Sequence, residues 1–297
     1  MKFVISIFLL PYEIDDLSRM VNQLKLGANL LSGRHQWVMD VNLCLADDMV
    51  DWGNSSIDKQ FFVEKLNNLA RQSDWCEARF TCIEHIKGCV SQRRKSLLEN
   101  PDADHFIWID GDIFFSERTI TFVEQAAERL SDTNPMFILT PEVVRLWDST
   151  WDCLVNEQYI SKPLGYQAEN DPFTDSGIKG KVSLELVNCN VKGQPRFKFA
   201  GGWFTCLSAP LLNRVRIPET FGHYGLEDTF IMHAAEKFVE LGLEDIKQFK
   251  LKNAIVCENY KFRDYAYLLN RLSIIDRRVE FKKISELNFR KELDSLH

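Results

Sequence analysis

Two pairs of acidic residues stand where carboxylates could do chemistry. Asp110 and Asp112 flank Gly111 in the stretch FIWIDGDIFF, with apolar residues on both sides. Two carboxylates beside a glycine that admits close backbone approach can hold a hard divalent cation through oxygen. The same Asp-Gly between apolar runs is also the strongest short-range signal for a two-residue hairpin turn, which would leave both acids solvated. The second pair, Glu227-Asp228, follows Gly222-His223-Tyr224-Gly225 and opens a segment with apolar residues at 230, 231, 234, 235, 238 and 239, the spacing of one helix face. Acids there cap a helix and complement its dipole. A carboxylate on a water-poor wall can equally act as a general base.

The elements that must position these acids follow from periodicity. Strands are expected at residues 3–10, 36–45, 79–85, around FIWI and at 136–140, with helices at 14–31, 56–71, 90–99 and from Ser116 to residue 130. This alternation predicts a mainly parallel central sheet with helices on both faces, and it places Asp110 at the carboxyl end of a central strand, where such sheets bind ligands. Residues 144–198 lose periodicity (SKPLGYQAENDPFTDSGIKG), as a functional loop would. A second ordered block is expected from a strand at 197–200 through Gly201-Gly202-Trp203-Phe204, a further strand or helix to residue 212, and the Glu227-Asp228 helix.

Bulk properties narrow the class. The chain has 297 residues, enough for one large α/β domain, and a net charge of −7. Residues 247–283 carry ten Lys or Arg against four acids, a local +6 that leaves −13 for the remainder. A basic face on an acidic body suits an anionic partner, and it also suits a solvated helix face. The eight cysteines form no CxxC pair and no His stands at zinc spacing, which argues against a zinc ribbon or a thioredoxin-like motif and suits reduced thiols of a cytoplasmic protein. The opening MKFVISIFLLPYE reads as a strand running into a loop, without the cleavage site of a signal peptide. No segment reaches the ~18 apolar residues of a membrane span, so a soluble protein is expected.

Taken in order, Asp110-Gly111-Asp112 after an apolar strand, the GGWF segment and Gly225-Leu226-Glu227-Asp228 at a helix start resemble the GT-A glycosyltransferases, over about residues 1–262. The resemblance implies a Rossmann-like α/β fold with a C-terminal helical extension: one catalytic domain at 1–262, with a nucleotide-sugar half at 1–143 and an acceptor half at 144–262, then a basic helical segment at 263–297. It implies a metal-dependent transferase moving a hexosyl or pentosyl group from a UDP-sugar to a glycan hydroxyl. Pro11, Tyr12, Glu13, Asp47, Asp48, Arg93 and Arg94 look like the family's nucleotide-contacting positions. Asp112 would bind Mn²⁺ or Mg²⁺ directly, and Asp110 would meet the ribose or the metal through water. Asp228 would be the base and Glu227 would orient the acceptor, or the two would exchange roles. Gly201, Gly202 and Trp203 would border the donor. Many relatives add a metal-binding His after the Glu-Asp helix; here the expected strand at 254–260 offers Glu258 and Asn259 instead, so Glu258 completes the metal set or phosphate oxygens do.

Plainer readings stay open beside these: Asp47-Asp48 as a turn, Arg93-Arg94 as solvated helix residues, and Trp203 as core. Tyr260, Phe262, Tyr265 and Tyr267 among basic residues leave a DNA acceptor with a hydroxymethylated base as an alternative. A nucleotide-sugar-binding protein or hydrolase is a further one. A pyrophosphorylase would want a Gly-rich, Lys/Arg-bearing loop after the first strand, and LLPYEIDDL has none.

Overall fold

The computed structural model describes residues 1–53, 58–144, 183–187, 189–191, 194–197, 201–258 and 272–297. Its strands are β1 (Lys2–Leu9), β2 (Gln36–Leu43), β3 (Val50–Asp51), β4 (Glu77–Thr81), β5 (His105–Ile109), β6 (Ile113–Phe115), β7 (Phe137–Val144), β8 (Leu184–Leu186), β9 (Cys189–Val191), β10 (Gln194–Arg196), β11 (Phe204–Ser208), β12 (Lys247–Glu258) and β13 (Ser273–Ile274). Its helices are α1 (Ile14–Ala28), α2 (Lys59–Gln72), α3 (Cys89–Glu99), α4 (Thr119–Ser131), α5 (Ala209–Val215), α6 (Glu227–Glu240) and α7 (Arg278–Asp294).

Nine strands form one sheet in the order β4-β2-β1-β5-β11-β7-β12-β6, with β8 also on β12. β4, β2, β1 and β5 run parallel, β11 lies antiparallel between β5 and β7, and β12 is parallel to β7. The chain moves outward from β1 through β2 to β4, then returns across β1 to place β5 on its other side. That reversal sets a topological switch point at the carboxyl ends of β1 and β5, the place where open α/β sheets bind ligands. The hairpin alternative fails here: β5 pairs with β1 and β11, and β6 departs to pair antiparallel with β12.

Alternation along the strands builds a core on each face of the sheet. Phe3, Ile5, Ile7 and Leu9 meet Leu17 of α1, Phe62 and Leu66 of α2, and Val123 of α4. Val4, Phe106 and Trp108 meet Val90 of α3, Leu211 of α5, and Phe230, Ala234 and Phe238 of α6. α7 belongs to the fold: Phe281 is buried in the first core, and Phe289 and Leu293 pack against the second. Lys237 Nζ caps its last turn by donating to the carbonyls of Leu293 and Asp294 at 2.8 and 3.2 Å.

Several expected boundaries shift for local reasons. α2 begins at Lys59 because Asp58 accepts from Phe61 N at 3.0 Å as its cap; Ser56 lies outside the described residues. Ser116 makes a turn ahead of α4, its Oγ accepting from Arg118 N at 3.0 Å, and the helix starts only at Thr119. The expected strand at 79–85 ends at Thr81, where Asn42 reaches across and accepts from Ile83 N at 2.8 Å. Phe197 lies outside any strand, and residues 198–200, most of the 144–198 segment, and Asn259, Tyr260, Phe262, Tyr265 and Tyr267 lie outside the described residues. Among the described residues no helix is long and apolar enough to cross a membrane.

Candidate active site at the carboxyl edge of the sheet

The turn Asp110-Gly111-Asp112 sits at the end of β5, beside the reversal point. Its Asp110 N donates to Trp203 O at 3.1 Å, and Ile113 N donates to Asp110 O at 3.3 Å. A side chain at Gly111 would strike Leu9 at the end of β1 and come within 3.6 Å of Glu13 Cβ. The turn therefore packs down onto the Pro11–Glu13 turn, whose Glu13 Oε2 accepts from Leu10 N at 2.8 Å. Pro11, Tyr12 and Glu13 are buried beneath the turn. Asp112 is buried, whereas the Asp110 carboxylate is about a third exposed (36%).

The second pair arrives from the other side. Gly225 and Leu226 both take left-handed backbone (φ 88° and 69°), turning the chain sharply into α6. Leu226 is not a glycine, and this conformation costs it roughly 1–2 kcal/mol. Its neighbours then part company. Glu227 is only 2% exposed and accepts from Arg93 Nη1 and from Cys89 Sγ at 3.4 Å. Asp228 is partly exposed, its Oδ2 taking Gly202 N at 2.9 Å and its Oδ1 taking Thr229 N at 2.6 Å.

Arg93 joins the two pairs. Buried to 3%, its Nη2 donates to Asp110 Oδ1 and to Gly202 O, each at 3.0 Å, while Nη1 holds Glu227. Its guanidinium lies 4.7 Å from the centre of the Trp108 ring, and a Cβ at Gly202 would stand 2.6 Å from its nitrogens. Gly201 packs on the Trp203 ring, which is half-buried at the rim. Tyr224 carries no signal in the sequence; burial, reinforced by the nearby Cys89 thiol and the Asp110 and Asp228 carboxylates, pushes its hydroxyl up to about 12.

The other sequence candidates lie apart from this cluster. Arg94 turns away and donates to the carbonyls of Pro218, Glu219, Phe221 and Gly222, clamping the loop that leads to Glu227. Asp47 is exposed and pairs with Lys59 at 2.8 Å. Asp48 is held by Lys87 and by Arg277 at 2.6 Å. Glu258 ends β12 opposite Ile113 of β6, so its backbone lies one residue from Asp112 across the sheet. Among the described residues no group of three or more His, Cys, Asp and Glu side chains is gathered as a metal cage. A cleft of about 680 Å³ opens at the amino end of β5, lined by Leu97, Leu98, Ala103, Phe106 and Leu212, far from these carboxylates.

No family model and no curated protein matches the chain. Among solved structures it is similar to S. aureus TarS 1–349 in complex with UDP, at 13% identity and TM-score 0.48, over 99% of this chain and 70% of that one. It is similar to a mycobacterial protein at 13% identity and TM-score 0.45, over 91% and 71%. CMP:2-keto-3-deoxy-manno-octonic acid synthetase complexed with CTP matches at 11% identity and TM-score 0.39, over 86% and 91%. Likenesses this slight carry no argument about function, which rests on the chain's own residues.

Proposed function

We propose that the chain is a glycosyltransferase that moves a sugar from a nucleotide diphosphate sugar, UDP-linked by the sequence resemblance, to the hydroxyl of a glycan acceptor. The observation that carries this reading is the partly exposed Asp110 carboxylate at the reversal point of the sheet, tied through one buried arginine to the segment that bears Asp228. A nucleotide at this reversal point would lie over the Pro11–Glu13 turn, with Asp110 at its diphosphate end.

The donor set suits a hard cation. Asp110 and Asp112 offer oxygen only, and Mg²⁺ or Mn²⁺ is commonly bound by one or two carboxylates completed by substrate phosphates. Such an ion, when bound, supplies Lewis-acid stabilisation of the departing diphosphate. Glu258 would add a further oxygen from β12. Everything else in the proposal belongs to the chain. Asp228 takes the proton from the acceptor hydroxyl, oriented for this by the N–H groups of Gly202 and Thr229. Glu227 holds Arg93 in place. Trp203 offers a ring face to a sugar, and Gly201 and Gly202 let the backbone approach it.

The test is incubation with a panel of UDP-sugars and Mn²⁺ or Mg²⁺, with and without glycan acceptors, following UDP release and sugar transfer separately. Transfer to an acceptor supports the proposal. UDP release without transfer converts the reading to hydrolysis, and no turnover of any donor rejects it.

A further inference from the structure

We infer that Arg93 is a positioning residue that locks the donor-side and acceptor-side carboxylates of this site into one unit; this rests on the transferase reading above. Asp110 and Glu227 lie 17 and 134 residues from Arg93 along the chain, and its one guanidinium reaches both. The third contact, to Gly202 O, extends the link. Gly202 accepts from Arg93 through its carbonyl and donates to Asp228 through its N–H. A shift of the guanidinium is thus felt at Asp110 directly and at Asp228 by two routes, through Gly202 and through Glu227 next to it in sequence.

The environment leaves the guanidinium little freedom. Arg93 and Glu227 side chains are each 3% exposed. Trp108 covers one face of the group, and the absent side chain of Gly202 leaves just enough room for it. Lysine cannot reproduce this. Its point charge lacks the planar fork that serves two carboxylates and a carbonyl at once. Being buried under its partners, Arg93 does not itself touch the donor.

Two measurements decide the matter. In Arg93→Lys, kcat is expected to fall about 10²-fold with donor KM within about 3-fold, because misplacement of reacting groups is felt in the transition state more than in binding. Unchanged kcat, or a loss confined to KM, overturns the inference. Should Arg93→Lys not fold, Gly202→Ala, whose methyl would stand 2.6 Å from the guanidinium nitrogens, takes its place and is read on kcat alone, because Gly202 also borders the donor; the same fall is expected and an unchanged kcat overturns the inference. The second measurement needs no turnover: melting temperatures of Arg93→Met, Glu227→Gln and the double variant. The double variant is expected to lose no more than Arg93→Met alone, and additive losses overturn the idea of one unit. If the wild type turns over no donor, the transferase reading falls by itself, while the melting cycle still decides whether the unit exists.

Discussion

Glu227 and Asp228 are neighbours in sequence with opposite surroundings, and their variants should separate accordingly. Asp228→Asn keeps the size and the bonds to Gly202 and Thr229 but cannot take a proton. Turnover should fall about 10²- to 10⁴-fold, as expected for loss of a general base, with a melting temperature near wild type. Glu227→Gln leaves Arg93 buried beside a neutral partner. Breaking one side of a buried pair costs about 3–5 kcal/mol, so urea unfolding should show the larger loss here. Equal stability of the two variants would refute this division. At this scale the four acids were legible in the sequence, because carboxylates interrupting apolar runs are conspicuous. Their pairings were not. Nothing in the spacing of residues 93, 110, 202 and 227 says that they converge, and Cys89 and Tyr224 carry no local signal at all. Arg93 and Arg94 look alike in sequence, yet one helix position turns the first into the site and the second onto loop carbonyls.

At the scale of elements, the loop from Gly222 to Leu226 is held between α3 and α7. Val90 N donates to His223 O at 3.0 Å, and Ser285 Oγ donates to Tyr224 O at 3.4 Å. Gly88, just ahead of α3, has no room for a side chain, because a Cβ would strike the His223 carbonyl. Backbone cannot yield as a side-chain tip does. Gly88→Ala should therefore cost about 1–3 kcal/mol of overpacking. It should also lower turnover at temperatures where the variant remains folded, since the loop that sets Asp228 must move. Thermal melting beside an assay in the cold checks both parts, and a fully active variant would contradict the second. Strand and helix order was readable from periodicity because β1, β2 and β5 are buried along nearly their whole length and helices such as α1 and α4 bury one apolar stripe. The destination of β6 was not. Three apolar residues after Asp112 fit a return hairpin as well as a strand that crosses to β12, and only the pairing with Val256 and its neighbours decides between them.

For the whole molecule, the sequence suggested a basic helical segment at 263–297, and α7 within it packs against both cores. Its own charges are nearly balanced, five basic residues against four acidic across 278–294. Lys282 pairs with Glu286 along the helix, and Arg277 pairs with Glu280 and with Asp48. The Asp48 carboxyl is held below its ordinary range chiefly by the hydrogen bond from Lys87, with Arg277 adding to it. A carboxyl depressed in the folded state adds stability above the unfolded value of 3.8 and loses it as pH falls through the folded value. Because Asp48 is 41% exposed, that contribution is small and screened by salt. Asp48→Asn should thus lower the melting temperature slightly at pH 7 and low salt and leave it unchanged once the pH is below the folded value, so that the two profiles converge in acid. The apolar anchor is the stronger fastening. Phe281 is buried, its ring meets His223 edge-on at 4.9 Å, and its carbonyl closes over Gly222. Phe281→Ala opens a cavity worth about 3–5 kcal/mol. It also frees the loop that carries Tyr224 toward Glu227. Denaturation should show the full loss, and turnover should fall with it well below the melting transition. A variant that loses stability yet keeps wild-type kcat would show that α7 holds the fold together without holding the site.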